Sequence, residues 1–439
     1  MNLRYILRLV PAFLSRFKAI IGLGVLFGVI LFFVFRFVVP NTIGKQNPII
    51  ALSGRYTTNN LPNSILNLVS DGLTKINPDG TLEPSLADSW ETSDKGKTWV
   101  FHLRDDIFWQ DGKKVTSQTI TYLFSDLSIE TPDEKTIIFK LQSPYSAFPA
   151  VVSKPVFKKG LLGTGKWEVK SIDFSGSYVQ KLTLEDENKN KKTIKFYPTE
   201  EQAKLSYKLG SVNKIDDLIN PKPLDNWRNT KATENIQKDK YVAVFFNTQD
   251  KHLSEKSIRQ ALSYAIDKNE IGGKRAIGPL SPNSWAYNPQ VKPYEYDPKR
   301  AKDLINELPA EAKENLEINL STSPILLSKA ELIAKYWENI GVKTNVQVVS
   351  GVPSEFQALL VIFDIPKDPD QYSVWHSTQT STNITNYQSP RIDKLLEDGR
   401  TTLGVEERRT IYLDYQRFLV EDSPAVFLYH PSFYTVERN

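Results

Sequence analysis

The 439-residue sequence predicts an α/β protein of mixed sheets flanked by helices, preceded by one N-terminal transmembrane helix. Three observations carry that reading. Residues 241–267 read as a buried strand (YVAVFFN) running into a surface helix opened by Ser254, with Ile258, Ala261, Leu262, Ala265 and Ile266 on one helical face. From 297 to 349 helical and strand patterns alternate, as βαβ units in a parallel or mixed sheet do. Residues 19–35 are uncharged and almost wholly apolar.

That apolar run comes first in the chain. Residues 37–39 extend it past Arg36 to about 20 residues, enough for a helix to cross roughly 30 Å of hydrocarbon. Arg36 can snorkel to the headgroups. The rival reading, a cleaved signal peptide, would have a shorter apolar core and a small-residue cleavage site, whereas this run ends in Val38-Val39-Pro40. Arg4, Arg8, Arg16 and Lys18 precede the span, and Lys45 is the first basic residue after Arg36. The positive-inside bias therefore puts 1–18 in the cytoplasm, 19–39 in the membrane, 40–48 in a linker and the rest outside.

The net charge of +4 comes from this leader. Its five basic residues face no acid. With them removed from 55, 50 basic residues remain against 51 acidic, a net of −1. Such a balanced ectodomain is not a phosphate-backbone binder, which argues against nucleic acid as a partner. Cysteine is absent, which excludes disulfides, thiolate metal sites and a Cys-linked lipid.

In the ectodomain, Pro78-Asp79-Gly80 is a turn between apolar runs. Residues 99–103 read as a strand and Asp111-Gly112 as a hairpin turn. Residues 160–166 nearly spell a phosphate-binding loop. Trp167 stands where Ser or Thr would hold magnesium, and a strand pattern follows instead of a helix, so nucleotide binding is not expected. Residues 193–198 form a strand and 200–209 a helix. Asp297-Pro298 caps a helix, Gly341 stops another, and Ser389-Pro390 begins a third. The last strand is expected at 425–429.

The wording of these blocks resembles the family 5 extracellular solute-binding proteins of ABC transporters, the oligopeptide- and dipeptide-binding group. The Phe246-Asn247-Thr248 strand end is followed by Arg259-Gln260-Ala261-Leu262 and Ala265-Ile266-Asp267. The order of an Ala-x-x-Trp stretch, an aromatic strand, Trp109 and Asp111-Gly112 matches as well, and so does the Gly163-Thr164-Gly165-Trp turn at 163–167. The resemblance covers about 49–434. It implies a two-lobed periplasmic-binding-protein-like fold. Lobe I would be 49–240, with a trimmed subdomain at about 90–160 and the last strand 425–439. Lobe II would be 241–424, and the hinge would lie near 241–247 and 424–430. It further implies capture of a short peptide in the interlobe cleft, delivery to ABC permease subunits, a monomeric ectodomain, no cofactor and no catalysis.

In peptide-binding relatives an acid in the loop after an apolar strand pairs with the ligand's α-ammonium. Here that loop is 363–375, and it offers Asp364, Asp368 and Asp370. A charge-assisted bond in a closed cleft discriminates for a cation, although Asp before Pro is also ordinary turn chemistry. Trp375, Asn383, Asn386 and Tyr387 follow and could cover or bond an extended peptide. Arg55, Tyr56 and Asn59 at the start of lobe I, and Trp285 in lobe II, are further candidate walls. The four histidines are scattered with no metal spacing, and no G-x-S-x-G elbow marks a nucleophile. The family's range leaves open a sensor or orphan ectodomain for a nickel complex or a sugar. A hydrolase is the other alternative.

Overall fold

A computed structural model of the chain describes residues 3–33, 47–122, 124–313 and 316–438. It divides into two compact units, Met1–Pro48 and Ile49–Asn439. In the first, a helix runs from Leu3 to Phe33, and its segment Arg16–Phe33 is long and apolar enough to cross a membrane. Residues 34–39 of the expected anchor and 40–46 of the expected linker lie outside the described residues.

The second unit is built on two large sheets. The first has seven strands in the order Thr230–Ile236, Ser432–Arg438, Lys214–Leu218, Ile49–Ser53, Lys191–Tyr197, Tyr178–Glu185 and Glu168–Ser175. Ile49–Ser53 is parallel to both of its neighbours, and the other pairs are antiparallel. The helix Glu200–Lys208 makes the crossover between the two parallel neighbours. Thr199 caps it by accepting from the Gln202 amide, and Glu200 and Glu201 sit at its positive end. Beside this sheet, Ala87–Glu91, Thr98–Leu103, Thr136–Leu141 and Leu127–Asp133 form a four-stranded antiparallel sheet over a core containing Trp109, Phe101, Phe139 and Phe148. This sheet spans much of the stretch expected from sequence to be a trimmed subdomain.

The second sheet runs Lys274–Arg275, Ala425–His430, Lys240–Phe246, Ala358–Asp364, Glu317–Thr322 and Lys343–Val348. Its centre explains the unbroken apolar run at 241–246. Val242, Val244 and Phe246 pack on one face, with the helices Lys256–Ala265 and Leu327–Glu338. Tyr241, Ala243 and Phe245 pack on the other, with Pro390–Thr401 and Val405–Asp422. A strand covered on both faces needs no polar alternation.

Three expectations shift. The stretch 425–439 is two strands in two sheets. Ala425–His430 pairs with Lys240–Phe246 in the second sheet, and only Ser432–Arg438 returns to the first. The chain therefore crosses between the sheets at 237–239 and at Pro431, ahead of and beyond the segments expected to form the hinge, because those segments are held in the second sheet's ladder. The surface helix opens at Lys256 with Glu255 as its N-cap, and the Ser254 hydroxyl turns back to donate to the Lys251 carbonyl at 3.3 Å. The Asp297 cap stands as read, accepting from the Arg300 amide at 2.8 Å.

Candidate functional site

The two crossovers run side by side and are tied together. The Gln237 amide donates to the Pro431 carbonyl at 2.8 Å. The buried His430 ring donates from Nδ1 to the Lys240 carbonyl at 2.7 Å. Burial pulls the His430 imidazole below its usual range, with the Lys240 carbonyl opposing it. The amide of Ile365, just past the neighbouring strand, donates to the Asp239 carbonyl at 2.8 Å.

Above this junction, a turn from the first lobe meets two loops from the second. The Pro78-Asp79-Gly80 turn closes with the Gly80 amide on the Asn77 carbonyl. Gly80 has φ +84°, and a Cβ there would stand 2.6 Å from the Lys367 carbonyl, so glycine lets the turn approach the second lobe's strand-end loop. The Asp79 carbonyl accepts the Trp285 amide at 2.9 Å. The loop carrying Trp285 is fixed from behind by Gln371, a fully buried amide. Its Nε2 donates to the Pro279 carbonyl at 2.7 Å, and its Oε1 accepts from Trp375 Nε1 at 2.9 Å and from the Tyr415 hydroxyl at 3.0 Å.

These elements border a half-open cavity of about 270 Å³. Ile76 and Pro78 line it from the first lobe, 236–239 from the crossover, and 281–284 and 365–367 from the second lobe. The lobes meet again farther out. Ser146 of the trimmed subdomain donates its amide to the Arg400 carbonyl at 2.7 Å and its hydroxyl to Gly399 at 3.0 Å. The Arg400 guanidinium lies between the rings of Tyr145 and Tyr372, 4.3 and 4.2 Å from their centroids.

The candidate residues read from sequence divide between exposed positions and the interior, and none of them is in the cavity lining. Asp364 ends its strand with an exposed side chain, ion-paired to Lys240 of the next strand. Asp368 is largely covered and pairs with Arg408 at 2.8 Å, and Asp370 is buried against Arg400 at 3.0 Å. Their carboxylates also accept the amides of Asp370 and Tyr372, which shapes the loop. Asp368 keeps the Arg408 guanidinium charged, well above its ordinary range, despite burial. Both acids therefore have partners inside the second lobe. Trp375 is fully buried and stacked on Phe245. Tyr387 is buried with its hydroxyl on Asp422 at 2.6 Å, and Asn383 is buried in the same turn, bonded to the Tyr387 carbonyl. Asn386 has φ +50° and donates to Asn247. In the first lobe, Tyr56 packs on Phe196 and donates to the Ser53 carbonyl. Burial, then the Asp217 charge, pushes its phenol up. Arg55 lies over Tyr178, and Asn59 is exposed. Trp285 follows the lining residue Ser284 in the chain but is not itself in the lining, and its ring lies under the Arg408 guanidinium and edge-on to Tyr412.

The glycine-rich segment has its amides occupied. Gly163 donates to Gln110 Oε1 and Gly165 to the Val69 carbonyl, while Gln110 Nε2 bonds the carbonyls of Val69, Gly165 and Trp167. It is a brace, with Lys166 pointing outward and 3.8 Å from Asp186. Among the described residues, no three His, Cys, Asp or Glu side chains gather as a metal set.

Sequence reasoning missed Lys238, Asp239, Lys240 and Lys367. The run Gln237-Lys238-Asp239-Lys240 carries a signal only in hindsight, since a short charged stretch before a strand normally reads as a solvated loop.

Comparison with known proteins gives one consistent result. A family model described as bacterial extracellular solute-binding proteins, family 5 Middle, matches residues 81–383. The dipeptide-binding protein of Escherichia coli is 24% identical, with 82% of this chain and 83% of that protein aligned. Among solved structures, NikZ from Campylobacter jejuni in complex with Ni(L-His) superposes with a TM-score of 0.72 at 24% identity, covering 90% of this chain and 95% of that one. AppA from Bacillus subtilis, in complex with a nonapeptide, gives 0.70 at 21%, covering 89% and 94%. The fold is thus the two-lobed, mixed α/β periplasmic-binding-protein architecture.

Proposed function

Because the chain belongs to family 5 of the bacterial extracellular solute-binding proteins, we propose that it is the membrane-anchored capture component of an ABC importer, binding short peptides between its lobes and delivering them to a permease. The observation that carries this reading is the cavity at the hinge, walled by both lobes and by the crossover between them. In this reading, lobe I is 49–236 with 432–438, and lobe II is 240–430. A solute held there touches both lobes, so its binding energy favours the closed arrangement over the open one. The closed ectodomain, acting as a monomer, then presents one surface to the permease. Segment 19–39 would tether it, with 1–18 cytoplasmic and the ectodomain outside.

Support for a peptide comes from the relatives named for dipeptides and crystallised with a nonapeptide. Trp285 and Asp364 each directly neighbour a lining residue in the chain, and in this reading they border the solute. Arg55, Tyr56 and Asn59 remain proposed walls of the outer cleft. The protein performs no chemistry on its solute in this reading. A second reading, capture of a nickel complex, draws on the NikZ likeness.

Native mass spectrometry of the full chain, purified in detergent, tests the assignment. Co-purified masses that match short peptides are the expected result. A mass carrying nickel, or a sugar, would replace the peptide reading.

A further inference from the structure

The strand Ile49–Ser53 receives the chain from the linker, and its first residue is clamped at one end of the seven-stranded sheet. The Ile49 amide donates to Asn213 Oδ1 at 2.9 Å, and the Asn213 amide donates back to the Ile49 carbonyl at 3.0 Å. The Arg438 amide donates to the Asn213 carbonyl at 3.1 Å. Thr230 pairs with Arg438 at this end, whereas Ile236 pairs with Ser432 at the other, beside the crossovers. A seven-residue strand, roughly 20 Å of it, separates the two ends.

Apolar side chains project at the entry end. The helix Glu200–Lys208 finishes there, and its C-cap Leu209 is 73% exposed, more than any other large apolar side chain among the described residues. Leu205, one turn earlier on the same helical face, is exposed as well. The turn before Thr230 carries Trp227, the one exposed tryptophan among the described residues. The Thr230 amide donates to the Trp227 carbonyl at 3.1 Å, and the Tyr207 hydroxyl lies 3.1 Å from Thr230 Oγ1, which ties this turn to the helix.

Cations flank both projections. Lys208 precedes Leu209, Arg228 follows Trp227, and Lys231 comes next along the strand. All three are exposed, and none is in an ion pair among the described residues. The Arg438 guanidinium adds a fourth positive charge, 4.8 Å from the Tyr207 ring centroid. The acids on these segments are Asp225 and Glu437, with Glu200 and Glu201 at the far end of the helix. Leucine and tryptophan set among lysine and arginine are what an element lying in a membrane interface presents, the ring at headgroup level and the cations among lipid phosphates.

The linker brings this end within reach of a bilayer. Residues 40–48 span at most about 30 Å when fully extended, so Ile49 stays within that distance of the headgroups. A short tether gives an effective concentration in the millimolar range, so a surface of low intrinsic affinity suffices. The tether sets only the distance; the projecting side chains and their charge set which surface turns to the membrane.

We propose that this end of the first lobe rests on the anionic phospholipid surface of the membrane that holds the anchor, with Leu209 and Trp227 in the headgroup region and Lys208, Arg228 and Lys231 on lipid phosphates. The assignment rests on the anchored reading. It points the crossover end of the sheet, and the cavity with it, away from the headgroups and toward arriving solute.

Spin-label spectroscopy of the full chain in nanodiscs tests the assignment. The chain has no cysteine, so a label attached through Ser211→Cys reports on this surface alone, and one attached through Ser354→Cys, an exposed position of the second lobe, is the control. In discs of phosphatidylcholine with phosphatidylglycerol, the label at 211 should be shielded from a water-soluble relaxant and the label at 354 should not. Shielding should vanish in pure phosphatidylcholine and in about 1 M salt, where the Debye length is about 3 Å. Each Lys or Arg near an anionic surface strengthens adsorption about fivefold, so Lys208→Gln/Arg228→Gln should lower the ratio of shielded to free label about 20- to 30-fold. Leu209→Ser/Trp227→Ser should lower it at unchanged charge. Thermal melts of the variants verify folding. If the label at 211 stays free in anionic discs that retain the chain, the assignment is overturned while the anchored reading stands. If it stays free there but is shielded in vesicles of native membrane, the surface docks on a protein, and the assignment is likewise overturned. If the chain elutes apart from the discs, both fall.

Discussion

Lys240 and Asp364 stand opposite each other where two neighbouring strands of the second sheet reach the cleft, and their side chains are ion-paired. The acid whose place at the strand end suggests a ligand ammonium partner thus already has a cation from within the chain. A ligand amine would have to displace Lys240 to reach it. Asp364→Asn should therefore change dipeptide affinity by less than about 3-fold, and it should shift stability by no more than about 1 kcal/mol, as exposed pairs do. Calorimetry and denaturant melts on that variant check both. A loss of 10-fold or more would return the ammonium site to Asp364.

The two neighbouring acids should behave differently. Asp368 and Arg408 are both nearly enclosed, at 12% and 7% side-chain exposure, so Asp368→Asn leaves a buried guanidinium without its counter-ion. The cost should be about 2–4 kcal/mol in unfolding free energy. Asp370→Asn should cost less, about 1–2 kcal/mol, because Arg400 is 30% exposed and keeps its two tyrosine rings. Urea unfolding of the two variants measures the ranking. Equal losses would show that the two pairs are equivalent.

The His430 link between the crossovers gives a pH dependence. Its folded pKa lies below the unfolded value of about 6.5, so the unfolded chain binds more protons in the window between the two. The contribution is fully present above about pH 6.5 and is lost as pH falls through the folded pKa. Lys238 and Lys274 oppose the imidazolium, and Asp239 favours it. His430→Asn retains an N–H donor without the titration. Its melting temperature should fall less than that of wild type between pH 7 and pH 5. Parallel curves would mean that His430 does not titrate in this range.

The glycine brace should tolerate change in its lysine and not in its backbone. A Cβ at Gly163 would lie 2.1 Å from the Val69 carbonyl, which cannot withdraw because Gly165 and Gln110 both bond it. Gly163→Ala should destabilise by at least about 1–3 kcal/mol. Lys166→Ala should leave both stability and dipeptide affinity nearly unchanged, since Lys166 is 68% exposed. Nucleotide hydrolysis that disappears in Lys166→Ala would show that the loop is a phosphate site.

Much of the architecture was legible in the sequence because local chemistry repeats it. The Asp297-Pro298 cap, the Pro78-Asp79-Gly80 turn and the doubly buried run at 241–246 each follow from the residues themselves. The final strand Ser432–Arg438 was missed as a separate element. Pro431 reads as a terminator, and a single residue suffices to pass from one sheet to the other. The arginines that claim Asp368 and Asp370 lie 40 and 30 residues away on helices, a distance at which no periodicity speaks. Trp375 and Tyr387 read as cleft aromatics because aromatic composition does not distinguish a wall from a core. The crossover charges were illegible for the opposite reason: a solvated loop and a binding loop are written in the same residues.

If solute binds in the cavity at the hinge, between the two lobes, it shields the backbone on both sides. Hydrogen exchange of the full chain in detergent, with and without a saturating dipeptide mixture, tests this most directly. Exchange should slow in three separated segments, 236–239, 281–284 and 365–367, together with the 76–81 turn of the first lobe. Unchanged exchange in those segments, with protection appearing elsewhere, would contradict it.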